Sequence, residues 1–272
     1  MKLSEKIEKT VNFLEEEIDF QPELGMIMGS GLGELGDEVE DTTVISYEDI
    51  PGFLASKVEG HAGQLVLGEL EGRKVYLMQG RYHYYEGHPI QEIVFPVQVM
   101  AGIGCETMLV TNASGAVNER FSVGNLALLV DHINFLGNNP LIGVSDEEVG
   151  PQFVDMTYAY DTDLQDLARQ KAQQLGITLE EAVYVASMGP SYETPATVEM
   201  YRRIGGDLAG MSTVPEVIAA NHVGMKVLGL SCITNMGAGI LDQPLDHKEV
   251  IETTERAKSK FKTLVREIIP EL

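Results

Sequence analysis

Lys226-Val227-Leu228-Gly229-Leu230-Ser231-Cys232-Ile233-Thr234-Asn235 is an apolar run that ends in a polar pair. Such a run predicts a buried strand, and one that closes on Thr234-Asn235 opens there into a site. Asn offers one acceptor and two donors, so Asn235 can read a heterocycle edge that shows both kinds of group. Upstream, Gly210-Met211-Ser212-Thr213-Val214-Pro215-Glu216 presents a small hydroxyl, Ser212, beside a tight backbone. Together the two stretches predict a pocket for a planar, polar small molecule.

Outward from this strand, apolar strand-like runs recur at Leu24–Met28, Gln64–Leu70, Lys74–Gln79, Thr107–Thr111, Leu126–His132 and Ala182–Met188. Helical patterns fall at residues 4–19, where Ile7, Val11, Leu14 and Ile18 share one face, and at Ile90–Ile103, Asp163–Leu175, Thr197–Ile204, Pro215–Val223 and His247–Ile268. The alternation predicts an α/β fold, a largely buried mixed β-sheet with helices packed on it. Gly137–Asp161, rich in Gly, Asn, Pro and acids, reads as loop. With no repeat, low-complexity tract or flexible linker, residues 1–272 are expected to form a single domain.

A formal net charge of −23 disfavours nucleic acid or an anionic membrane as partner. It also means that an anion site must concentrate the chain's few cations. Cys105 and Cys232 both lie in apolar surroundings, which predicts no disulfide framework and a reducing compartment. The N-terminus MKLSEKIEKT lacks the apolar core of a signal peptide, and no apolar span is long enough for a bilayer. The expectation is a cytoplasmic protein.

Leu24–Met28 runs into Gly29-Ser30-Gly31-Leu32-Gly33-Glu34-Leu35-Gly36. Gly31, Gly33 and Gly36 match the spacing of a dinucleotide fingerprint, with Glu48 and Asp49 in range as ribose ligands. The following Asp37-Glu38-Val39-Glu40 is acidic, however, and does not continue as an apolar helix face. A loop whose backbone N–H groups and Ser30 hydroxyl face a single anion fits better, with a plain glycine turn as the alternative.

Gly80-Arg81-Tyr82-His83-Tyr84-Tyr85-Glu86-Gly87-His88-Pro89 follows a predicted strand and is dense in ligand-binding groups. Arg81 can fork two N–H donors onto a phosphate, and His83 can add another. The spacing of His61, His83 and His88 fits no common zinc pattern and no Cys lies near, so no metal is expected. A surface loop with aromatic packing is the competing reading, and His61 alone would be structural.

Gly29-Ser30-Gly31-Leu32-Gly33, the Gly80–Gly87 cluster, Thr111-Asn112-Ala113-Ser114-Gly115, Gly189-Pro190-Ser191-Tyr192-Glu193-Thr194, Gly210–Glu216 and Ile233-Thr234-Asn235 follow one another in a known order. Over residues 20–268 the chain resembles the low-molecular-mass, typically trimeric purine nucleoside phosphorylases, bacterial members in particular. That resemblance implies a twisted mixed sheet flanked by helices, a nucleoside phosphorylase-like fold. The implied activity is phosphorolysis of purine ribo- and deoxyribonucleosides to free base and sugar 1-phosphate, in purine salvage. No metal or organic cofactor is implied, inorganic phosphate is the co-substrate, and the expected assembly is a homotrimer.

The resemblance also assigns roles. Ser30, Arg81, His83, Ser212 and the Ala113 backbone N–H would hold phosphate, with His61 close by. Tyr192, Glu193 and Asn235 would hold the base, Tyr192 standing where many relatives carry Phe. The ribose would lie against Met211, with Tyr85 and His83 near its hydroxyls, His247 at the 5′-hydroxyl, and Phe153 capping it from a neighbouring subunit. The catalytic roles would fall to Asn235, Glu193 and His83.

Related methylthioadenosine phosphorylases carry Asp in place of this Asn, so Asn235 implies a preference for 6-oxopurines such as inosine and guanosine. Ser114, where many relatives repeat Ala, would add a hydroxyl near the phosphate. Cleavage of xanthosine or methylthioadenosine is the sibling reading. A non-catalytic nucleoside-binding protein on the same scaffold should have lost phosphate ligands, yet Ser30, Arg81, His83 and Ser212 are all present.

Overall fold

The computed structural model describes residues 1–29, 33–55, 62–241 and 247–272, with the backbone alone at 247–252, 254 and 256. Ser30 and His61 therefore lie outside the described residues, as does the side chain of His247.

Among the described residues, nine strands join in one mixed sheet. They are β1 (Leu24–Met28), β2 (Glu40–Ser46), β3 (Gln64–Leu70), β4 (Arg73–Gln79), β5 (Thr107–Ala116), β6 (Leu126–Asn134), β7 (Leu179–Ala186), β8 (Leu208–Gly210) and β9 (Lys226–Met236). The helices are α1 (Leu3–Glu17), α2 (Ile90–Ile93), α3 (Phe95–Gly102), α4 (Thr162–Leu175), α5 (Pro195–Arg203), α6 (Val214–His222) and α7 (His247–Ile268). Among the described residues, none is long and apolar enough to cross a membrane.

Every residue of β1 is buried, because helices cover both faces of the sheet. Ile27 belongs to one apolar cluster with Leu14 of α1, Met100 of α3 and Val217 of α6. Met26 and Met28 belong to the cluster on the other face, with Ala168 of α4 and Phe261 and Leu264 of α7. This is the period-two alternation of a strand with an apolar layer on each side. Helix ends are set locally: Asp161 caps α4 by accepting from the amides of Asp163 and Leu164, both at 3.0 Å, and Gly176 ends it with φ 66°.

The predicted single helix over Ile90–Ile103 is two helices. The chain breaks at Val94 (φ −91°, ψ −6°), just ahead of Phe95-Pro96. Pro96 has no N–H to give and its ring disfavours helical geometry in the residue before it.

The sheet order is β2-β3-β4-β1-β5-β8-β7-β6-β9, and β5 also pairs with β9. The last five strands of that order thus close on themselves, a ring that the alternation of elements did not foretell. β5 is the hinge of the arrangement. One of its edges runs parallel to β1 from Thr107 to Val110, then is antiparallel to β8 only at Gly115 and Ala116. Between Val110 and Gly115 that edge meets neither strand, and a crevice forms where a strand changes neighbours, as in open α/β sheets.

Candidate active site

The crevice gathers Arg81, His83, Tyr85, Ala113, Tyr192, Glu193, Met211, Ser212 and Asn235 from widely separated parts of the chain. Gly29, at the end of β1, also lines it. A β-carbon there would stand 2.8 Å from both Asn112 Cα and Thr111 O, so only glycine lets the start of the glycine-rich loop approach β5 this closely.

Arg81 follows β4 and is 2% exposed. Its Nη2 donates to Thr111 O at 2.5 Å, and its Nη1 to Ser212 Oγ and Thr213 Oγ1, each at 2.9 Å. The Glu216 carboxylate, also buried, lies 3.5 Å from Nη1. Nη2 also donates to Ile27 O at 3.4 Å, so the Nη protons face Thr111, Ile27, Ser212 and Thr213, and Arg81 offers an anion a fixed positive charge rather than the two-pronged fork expected from the sequence. Thr111 O points toward Arg81, so the Ala113 backbone, two residues on, faces the same open edge of β5.

Ser212 precedes a tight turn. Thr213, fully buried, has φ 75° and ψ −53°, and Val214 N donates to Ser212 O at 2.8 Å across it. A β-branched residue at positive φ is strained, and strain of this kind gathers at functional sites.

His83 is nearly buried, and its ring stacks on that of Tyr85 with centroids 4.8 Å apart. Glu86 accepts from the His83 backbone N–H at 2.6 Å and lies 3.5 Å from its Nδ1. Burial pushes the Glu86 carboxyl up, but its hydrogen bonds and charge interaction with His83 prevail and hold it below the usual glutamate value of 4.5.

At the far end of the crevice β9 carries a bulge: Ser114 pairs with Ile233 but Gly115 with Asn235, leaving Thr234 as the extra residue. Bulges re-aim side chains beside active sites. Asn235 Nδ2 donates to Met236 O at 3.1 Å, and its Oδ1 accepts from Thr234 Oγ1 at 2.9 Å. Glu193 accepts from Ser187 Oγ at 2.8 Å, and Tyr192 beside it is 45% exposed.

Phe153 is 86% exposed and lies outside this crevice, along a separate depression with Ile142 and Val154. The hydroxyl that Ser114 adds is 2.6 Å from Ser231 Oγ inside the protein, rather than free for an anion. Asn112, Thr213, Ser231 and Glu216 were given no role by the sequence, and each contacts a crevice residue or its support. Their signal was a polar side chain within an otherwise buried stretch.

The phosphorylase superfamily matches residues 23–270. Purine nucleoside phosphorylase 1 of Geobacillus stearothermophilus is 55% identical over 263 residues, 97% of this chain and 96% of that protein. A Schistosoma purine nucleoside phosphorylase solved with hypoxanthine superposes with a TM-score of 0.95 at 37% identity, covering 100% of this chain and 99% of that one. The Schistosoma mansoni enzyme solved with adenosine gives 0.94 at 38% identity, with coverage of 100% and 99%. With motifs, sheet and crevice in agreement, the chain belongs to the phosphorylase superfamily and, within it, to the purine nucleoside phosphorylases of bacterial type.

Proposed function

We propose that this crevice performs phosphorolysis of 6-oxopurine nucleosides, inosine and guanosine ahead of adenosine, as a step of purine salvage. The observation that carries the reading is the crevice's two poles: Arg81 with Ser212 at one end, Asn235 with Glu193 at the other. A tetrahedral anion suits the first pole and a heterocycle edge the second, so one nucleoside and one phosphate can sit side by side.

At the anion pole, Arg81, Ser212, His83 and the Ala113 N–H hold phosphate; the family resemblance adds Ser30 and His61, which lie outside the described residues. At the base pole, Asn235 has one amide N–H and one Oδ1 lone pair left for the ligand after its contacts with Met236 and Thr234. The N–H donates to N7 and shares its hydrogen bond with the 6-oxo group as negative charge builds on the leaving base. Glu193, steadied by Ser187, accepts from N1–H. Tyr192 covers the ring. Met211 and Tyr85 flank the ribose, and the family resemblance assigns its 5′-hydroxyl to His247, whose side chain lies outside the described residues.

Glycosidic cleavage leaves an oxocarbenium-like sugar and an anionic base. Asn235 stabilises the base, and phosphate beneath the anomeric carbon stabilises the cation and then captures it. No covalent enzyme intermediate and no organic cofactor or metal are required.

A 6-amino group reverses the polarity at one position of the base edge. Meeting it requires the Asn235 amide to turn over, which would set its oxygen against Met236 O. Adenosine is therefore disfavoured rather than excluded. The exposure of Phe153 suits an aromatic covered only when a neighbouring subunit packs over it, in keeping with a trimer.

The test is base release from inosine, guanosine, adenosine, xanthosine and methylthioadenosine, each with and without phosphate. Phosphate-dependent cleavage fastest with inosine and guanosine supports the proposal. Phosphate-independent release, or equal kcat/KM for adenosine, overturns it.

A further inference from the structure

A chain of buried side-chain hydrogen bonds runs beneath the crevice floor and joins β9 to the turn that carries Ser212. Ser114 Oγ is 2.6 Å from Ser231 Oγ, and Ser231 Oγ is 2.5 Å from Asn112 Oδ1. Asn112 Nδ2 is 2.9 Å from Thr213 Oγ1, and Thr213 Oγ1 is 3.1 Å from Ser212 Oγ. Ser114, Ser231, Asn112 and Thr213 are all 2% exposed or less.

The direction of this chain can be worked out proton by proton. With Asn112 Oδ1 on Ser231 and Nδ2 on Thr213, the 2.5 Å contact matches an O–H···O bond and the 2.9 Å contact an N–H···O bond. Thr213 Oγ1 then accepts from Asn112 Nδ2 and from Arg81 Nη1, which have only protons to offer. Both of its lone pairs are engaged, and its own proton goes to Ser212 Oγ. Ser212 Oγ accepts that proton and another from Arg81 Nη1, so its own hydrogen is the one it can give, to an anion or to the Tyr184 hydroxyl beside it. At the other end, Ser231 gives its proton to Asn112 and therefore accepts from Ser114.

All four bonds thus point one way, from Ser114 to Ser212. Aligned hydrogen bonds in a dry interior polarise one another, each donor strengthening the next. We infer that Ser114, Ser231, Asn112 and Thr213 are positioning residues that hold Ser212 as a hydrogen-bond donor to the phosphate. The strained turn at Thr213 has a place in this scheme, since it turns the Thr213 hydroxyl inward between Arg81, Asn112 and Ser212. The inference rests on reading Arg81 and Ser212 as phosphate ligands.

The test is the KM for phosphate, set against the KM for inosine, in Thr213→Val, Thr213→Ser, Ser231→Ala and Ser212→Ala. Valine keeps the shape and loses the hydroxyl. Thr213→Val should raise the phosphate KM roughly three- to tenfold, the worth of one hydrogen bond, with the inosine KM unchanged. Thr213→Ser should restore the wild-type value. Ser231→Ala breaks the chain at a residue that does not line the crevice, and should raise the phosphate KM by a smaller factor. It carries the test if Thr213→Val does not fold. Equal effects of Val and Ser at 213, or parallel rises in both KM values, would overturn the chain. A Ser212→Ala enzyme with an unchanged phosphate KM would instead refute the phosphate reading beneath it.

Discussion

A β-carbon at Gly115 would come within 2.9 Å of Asn235 Nδ2. The glycine of β5 and the amide of β9 are opposed in the ladder immediately after the bulge at Thr234, and the missing side chain of one makes room for the other. Gly115→Ala should displace the amide by a fraction of an ångström to an ångström. Misplacement on that scale can cost about 10²-fold, so kcat with inosine should fall toward that extent while phosphate still protects against thermal unfolding. An alanine variant with wild-type kcat would show that the amide has room to spare.

Removing the amide altogether is the sharper cut. Asn235→Ala should lower kcat for inosine by about 10²–10³, the usual cost of losing one preorganised donor at a developing anion. Asn235→Asp should lose inosine and gain adenosine, because a carboxylate can only accept. Steady-state rates for both nucleosides in both variants decide the point.

The buried pair of Arg81 and Glu216 makes opposite predictions for folding and binding. Glu216→Gln leaves the guanidinium without its compensating charge, and breaking a buried pair in this way costs about 3–5 kcal/mol. The melting temperature without phosphate should drop accordingly. Phosphate then supplies the missing negative charge, so its stabilising effect should be larger in the variant than in wild type. Thermal scans across a phosphate series separate the two effects.

Glu86 ties stability to acid. Its carboxyl is held below 4.5 in the folded protein, so its contribution is present at neutral pH and lost as pH falls through the depressed folded value. Glu86→Gln should therefore melt earlier than wild type at neutral pH. The gap should narrow in acid and vanish once the wild-type carboxyl is protonated. A gap that stays constant across the titration would assign Glu86 a role independent of its charge.

Strands that are mostly apolar, β1, β3 and β9 among them, could be read directly, because burial on both faces leaves few polar interruptions. β2 could not. Glu40-Asp41-Thr42-Thr43-Val44-Ile45-Ser46 lies at the sheet edge with only Ile45 buried, so it carries neither alternation nor an apolar run. β8, three residues long, is too short to show a period. The apolar pattern ends β5 at Thr111, since Asn112, Ser114 and Gly115 look like loop residues, whereas the strand continues to Ala116. Their polarity is satisfied by long-range partners such as Thr213 and Ser231, which only the folded chain brings together. The crevice residues were legible for a related reason: each motif is local, although the motifs meet only in space.

The gap between β1 and β8 along β5 bears on how such a protein can change over evolutionary time. The floor of the crevice is framework, fixed by which strand lies beside which, and it cannot move unless the sheet is rebuilt. Tyr192 and Glu193, by contrast, sit between β7 and α5, outside any strand. On the proposed reading, exchanging that connection would retune base selectivity and leave Arg81 and Ser212 in place. The same division offers a protein engineer a place to graft new selectivity, and marks the strand residues that should be left alone.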